Sequence, residues 1–128
     1  MRVLVTGGRD FQPYSTVMTT LDYVHCKVGI TEIIHGGAGT RDWHTQIAQL
    51  GADLLAGRWA EERGIKETCM PADWETHGRA AGPIRNSAMI DLNPDLVVAF
   101  SGGKGTSDLL RKARARKIKI FFDGEIWK

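Results

Sequence analysis

Leu96-Val97-Val98-Ala99-Phe100-Ser101-Gly102-Gly103-Lys104-Gly105-Thr106-Ser107-Asp108 is an apolar run that ends in a glycine loop and reopens as a helix. The β-branched and aromatic residues at 96–100 read as a parallel strand covered on both faces. Gly102, Gly103 and Gly105 let the backbone turn sharply and approach a ligand without a Cβ between them. Leu109, Leu110 and Ala113 then recur at helical spacing. The free N–H groups of such a loop and helix start form a seat for phosphate. The stretch is neither a Walker A loop nor a complete G-x-G-x-x-G. Alone, it fits a plain strand–helix turn equally well.

The same arrangement occurs twice more. Val3-Leu4-Val5-Thr6 runs into Gly7-Gly8-Arg9-Asp10, and Glu32-Ile33-Ile34-His35 runs into Gly36-Gly37-Ala38. In an open parallel sheet the strands' C-terminal ends share one edge, and ligands bind there where the strand order reverses. Three glycine loops ending three strands point to that edge.

The rest of the chain completes the alternation. Ser15 is placed to cap a helix reaching about residue 27, and Gly29 to stop it. A helical region follows the second strand to Arg63, with Ala52, Leu55, Ala56, Trp59 and Ala60 along one stripe. A weaker strand spans 65–70, and 72–82 reads as a loop. Pro83 suits the first turn of a helix reaching about Leu92, another helix spans about 106–117, and a last strand spans 118–122 before a turn at Asp123-Gly124. This βαβαβαβαβ pattern predicts one Rossmann-like α/β domain over 1–128: a mostly parallel five-stranded sheet with helices on both faces.

Composition narrows the function. With 128 residues, 42% hydrophobic and 25% charged, the chain can build one soluble core. A net charge of +2 gives no overall nucleic-acid signature. No apolar run approaches membrane-spanning length. Cys26 and Cys69 have neither metal spacing nor a disulfide pattern and read as small buried residues of a cytoplasmic protein. His25, His35, His44 and His77 show no metal-ligand spacing. No metal and no cofactor is expected.

Gly7-Gly8-Arg9-Asp10, His35-Gly36-Gly37-Ala38, Gly51-Ala52-Asp53 with Trp59-Ala60, Ala81-Gly82-Pro83-x-Arg85-Asn86-x-x-Met89 and Phe100-x-Gly102-Gly103-x-Gly105-Thr106 follow one another in an order that resembles the cpYpsA-related branch of the SLOG superfamily. The resemblance covers most of the chain. It implies a Rossmann-like fold, a nucleotide or nucleotide-derived ligand, and a homodimer or higher oligomer. The superfamily also holds the LOG phosphoribohydrolases and the DNA-processing DprA proteins. Arg85-Asn86-Ser87-Ala88-Met89 resembles the LOG Arg-Lys-x-x-Met motif, with Asn for Lys. Gly102-Gly103-Lys104-Gly105-Thr106 resembles its Pro-Gly-Gly-x-Gly-Thr-x-x-Glu motif, with Ser101 for Pro. Leu109 stands at the position of the LOG glutamate. Oxocarbenium-like chemistry wants a carboxylate near the sugar, and leucine supplies none; Asp108, Asp10 and Asp53 are the candidate substitutes.

Residues 39–50 read as an insert. Trp43, Ile47 and Leu50 recur at i, i+4, i+7 and predict an extra helix, serving as a lid, a subunit contact or an elongated second helix. In one register Asp53 is the acid of the second loop; in another, Asp42 is. Arg9 and Arg85 suit phosphate recognition, or surface ion pairs. Asp10 reads as a partner for Arg9 or a ribose hydroxyl, or as a turn residue. His35 reads as a hydrogen-bonded structural histidine. Trp74 and His77 are candidates to stack on a base or to anchor their loop. The basic run Arg111, Lys112, Arg114, Arg116, Lys117 and Lys119 reads mainly as a solvated helix face.

The candidate ligand-binding set is therefore Gly7, Gly8, Arg9, Asp10, Gly36, Gly37, Asp53, Pro83, Arg85, Asn86, Gly102, Gly103, Gly105 and Thr106. The leading expectation is a protein that senses, carries or sequesters a nucleotide-derived ligand. The alternatives are a nucleotide N-glycosidase and single-stranded DNA binding, the second resting on the basic run alone.

Overall fold

Strand β1 (Arg2–Thr6) is the centre of a five-stranded sheet in the computed structural model, which describes residues 1–10 and 13–122. After β1 come α1 (Tyr14–Val28), β2 (Glu32–His35), β3 (Thr40–Arg41), β4 (Ala48–Leu50), α2 (Ala52–Glu62) and β5 (Lys66–Cys69). The second half holds α3 (Trp74–His77), a 3-10 turn (Gly78–Ala80), α4 (Ala81–Asp91), β6 (Leu96–Ala99), α5 (Lys104–Ala115) and β7 (Lys119–Phe122). The sheet order is β5-β2-β1-β6-β7, and every pairing in it is parallel. The chain works outward from β1 to β5, then recrosses to the other side of β1. The order reverses between β1 and β6, so a crevice opens where those two strands end. The turn expected at Asp123-Gly124 lies outside the described residues.

The pleat distributes the core. Val3 and Val5 point to one face and pack with α1 and α2 around Leu21, Leu55 and Trp59; Leu4 and Val97 point to the other and pack with α4 and α5 around Met89, Leu109 and Ala113. Each large side chain so buried contributes about 1.5–3 kcal/mol. Trp59 is fully buried, and its indole N–H donates to Asp22 Oδ1 at 2.9 Å. Among the described residues no helix is long and apolar enough to cross a membrane.

Several local expectations give way. The extra helix expected in 39–50 is an antiparallel hairpin, β3–β4. Asp42 Oδ1 accepts from the His44 and Thr45 amides, and Gln46 takes a left-handed φ of 61°. Capture of backbone amides by an aspartate side chain competes with helix formation. Trp43 and Ile47, whose spacing predicts that helix, are 78% and 44% exposed. Ser15 is not the cap of α1: Pro13 holds that position with φ −68°, and no side chain caps the helix. Residues 72–82 are not a plain loop, because Asp73 caps α3 through the Thr76 amide. Cys26 and Cys69 are both exposed. Cys26 faces solvent on α1, and Cys69 ends β5, an edge strand with one uncovered flank.

Candidate functional site

The loops after β1 and β6 are laced together. Gly8 N donates to Ser101 O at 2.9 Å and Phe100 N to Thr6 O at 2.9 Å, while Gly8 O accepts from Ala52 N, the first residue of α2. This close approach leaves no space at Gly7, where a Cβ would lie 2.5 Å from Ala52 Cβ, or at Gly102, where it would meet Thr106 Oγ1 at 2.2 Å. The start of α2 and the start of α5 are thereby brought to one crevice.

That crevice is a cleft of about 480 Å³, within the range of small-molecule sites. Gly7, Gly8, Arg9 and Asp10 form one wall, and Gly103, Lys104, Gly105 and Thr106 another. Ala38 and Asp53 enter from the second loop and α2, and Arg85, Asn86 and Met89 from α4. No side chain caps α5, so the positive end of its dipole faces the cleft. Thr6, Ala38, Met89 and Lys104 line the cleft without having been singled out in the sequence as site residues. The loop position of Lys104 and the places of Ala38 and Met89 within the quoted motifs were the available signals.

Four of the sequence candidates lie elsewhere. Pro83 is exposed in the first turn of α4, Gly36 and Gly37 sit behind the lining, and Gly102 is exposed beside the cleft. Gly36 makes room for Arg85: a Cβ there would lie 2.2 Å from Arg85 Nη1. Gly37 has φ +73° and faces Cys69 Sγ. Trp74 is half exposed against Gly82, away from the cleft.

Arg85 is held by the protein. Nη1 donates to Gly36 O at 2.7 Å and to Met70 O at 3.5 Å, and Nε donates to Asn86 Oδ1 at 3.0 Å. Burial lowers its pKa, against the pull of Asp53. Asn86 is 3% exposed; its amide donates to Gly105 O and to Asp108 Oδ2, tying α4 to the first turn of α5.

Asp53 is the buried acid of the cleft, at 5% exposure in the first turn of α2. Its Oδ2 accepts from the amides of Gly36 at 3.1 Å and Ala38 at 3.3 Å. Its Oδ1 has no hydrogen-bond partner among the described residues. Burial pushes the carboxyl above the usual carboxylate range, against the pull of the Ala38 and Gly36 amides and of Arg85. Asp42, the alternative acid, is exposed in the hairpin and bound to its own loop.

His35 is fully buried below the site. Nδ1 accepts from the Gly37 amide, so Nε2 carries the proton it donates to Glu67 Oε2 at 2.5 Å. The basic run of α5 is partly engaged within the fold: Arg111 and Lys112 pair with Asp108, and Arg116 with Asp91. Leu109 is fully buried in the core with Met89, Ile90 and Ala113.

The fold and the cleft define a Rossmann-like α/β protein with its candidate site at the strand-order reversal. A family model described as YspA, cpYpsA-related SLOG family matches residues 1–77, and the chain belongs to that family. It is 34% identical over 132 residues to the "Gene 61 protein" of Mycobacterium phage D29, with 97% of each chain covered. No solved structure matches it.

Proposed function

We propose that the chain binds a nucleotide or nucleotide-derived ligand by its phosphate, in the cleft between the β1 and β6 loops, and that its role is to sense, carry or sequester that ligand. The observation that carries this reading is the uncapped start of α5 facing a cleft that Arg9 and Lys104 also line. Backbone N–H groups, a helix dipole and two cations converge there, a combination suited to phosphate. Membership of a SLOG family supports the word nucleotide.

The test is calorimetric titration with inorganic phosphate, pyrophosphate and the four nucleoside 5′-monophosphates. Binding should weaken about tenfold in Arg9→Ala and in Lys104→Ala, as for one charge-assisted hydrogen bond. Absence of binding for every probe overturns the reading.

A second reading, hydrolysis of the N-glycosidic bond, has one observation in its favour. Asp53 is a buried carboxyl lining the cleft, with burial favouring its protonated form, and such a group suits protonation of a leaving base. Release of free base separates the two readings.

A further inference from the structure

We infer that the cleft selects its ligand by the sugar, with Asp53 Oδ1 hydrogen-bonded to a ribose hydroxyl. This rests on the phosphate-binding reading above and adds to it the part of the ligand that is recognised.

The starting point is the asymmetry of the Asp53 carboxyl. Oδ2 accepts two backbone amides and holds the second glycine loop, whereas Oδ1 receives no hydrogen bond among the described residues. A buried polar atom without a partner is costly, and such atoms in native proteins call for a reason. Holding the loop needs only Oδ2, so that role leaves the second oxygen unexplained. The neighbouring cation does not use it, because Arg85 directs Nε and Nη1 to Asn86 and to the carbonyls of Gly36 and Met70. Among the described residues no further donor reaches it, and Asp53 lines the cleft that would admit one from outside the protein.

The chemistry of that donor follows from where the proton resides. Oδ2 already accepts two N–H groups, so a proton on this carboxyl sits on Oδ1. The ionised oxygen accepts a hydrogen bond, and the protonated one donates. A hydroxyl meets both states, since it donates and accepts through the same oxygen. An ammonium suits only the ionised form, and a carbonyl only the protonated form.

The walls agree. Apart from glycines, Ala38 and Met89 are the apolar residues among the described lining, and no aromatic ring is among them. Such walls suit a phosphorylated polyol better than a flat base, which stacks on aromatic faces where proteins enclose it. The sugar phosphate therefore occupies the cleft, and the base lies toward its mouth.

The experiment compares wild-type affinities for AMP, GMP, CMP and UMP with those for their 2′-deoxy and 3′-deoxy counterparts, alongside ribose 5-phosphate and inorganic phosphate. Removal of one of the two hydroxyls should weaken binding about tenfold, as for a buried polar atom left without its hydrogen-bond partner. Ribose 5-phosphate should bind more tightly than inorganic phosphate. Asp53→Ala, which removes Oδ1 altogether, should reduce the discrimination between hydroxyl and deoxy ligands to about a third or less. Equal affinity for ribo- and both deoxy-ligands, with phosphate binding intact, overturns this inference and leaves the phosphate reading standing. Failure of every probe, inorganic phosphate included, overturns both. The wild-type comparison needs no variant to fold, and unchanged discrimination in a folded Asp53→Ala also overturns the assignment.

Discussion

Arg85 and Gly36, 49 residues apart in the chain, meet through a 2.7 Å hydrogen bond from Nη1 to the glycine carbonyl. The guanidinium occupies the space that a side chain at Gly36 would fill. One contact thus fastens α4 to the loop after β2.

Arg85→Ala should therefore cost stability as well as affinity. It leaves Gly36 O and Asn86 Oδ1 short of a donor in a partly buried place, worth about 1–3 kcal/mol. Urea denaturation should show a lower midpoint at unchanged slope. A variant with wild-type stability would mean that the contact is not formed in solution.

Gly36→Ala should act through the same contact. Its Cβ would displace the guanidinium, so the double variant with Arg85→Ala should be less destabilised than the sum of the two singles, by about 0.5–3 kcal/mol. Additive losses would indicate that Gly36 serves a separate purpose.

Asp53 should leave a signature in the pH dependence of stability. Its folded-state pKa is raised by burial, from an ordinary unfolded value near ~3.9. Below the unfolded value both states hold the proton and the group contributes no slope. As pH rises through the window up to the folded value, the unfolded chain releases a proton that the native protein keeps, and stability falls. Asp53→Asn removes this titration. Its stability relative to wild type should grow as pH rises through that window and then level off. A stability difference between the two proteins that stays constant as pH rises from the unfolded value would contradict the raised pKa.

Asp108 should behave in the opposite sense. Burial works against its ionisation, but hydrogen bonds from Lys112, Asn86 and Arg111 outweigh it and hold its carboxyl below the usual range. Its contribution is present above the unfolded pKa and lost as pH falls through the lowered folded value. Asp108→Asn should flatten the acid limb of the stability profile. An unchanged acid limb would show that those partners do not favour the ionised form.

Free base should not accumulate from nucleoside 5′-monophosphates. Leu109 is fully buried against Met89, Ile90 and Ala113 and presents no carboxylate to the cleft. Loss of one transition-state partner of this kind costs on the order of a hundredfold or more in rate. Chromatography of long incubations is the measurement. Steady turnover that Asp53→Ala abolishes would make Asp53 the catalytic acid and end the binder reading.

The alternation of strands and helices was open to inspection because its signals are local. Val97 and Val98 beside Phe100, the stripe through Leu55 and Trp59, and glycines at three strand ends each act within a few residues of the chain. They determined a parallel α/β sheet and the edge on which a site would form. Three-dimensional arrangement decided what lies on that edge. Gly36 and Gly37 look like Gly7 and Gly8 in the sequence, yet one pair serves Arg85 and Cys69 while the other lines the cleft. The sequence favours Asp53 over Asp42 as the acid of the second loop but leaves both registers open; the hairpin carries Asp42 away, and α2 buries Asp53 at the strand-order reversal. Residues 39–50 show a helical spacing that Asp42 defeats by capturing its own loop's amides. Each of these outcomes depends on which distant segment comes to rest beside a residue, and that follows from strand order and packing rather than from the neighbours in the chain.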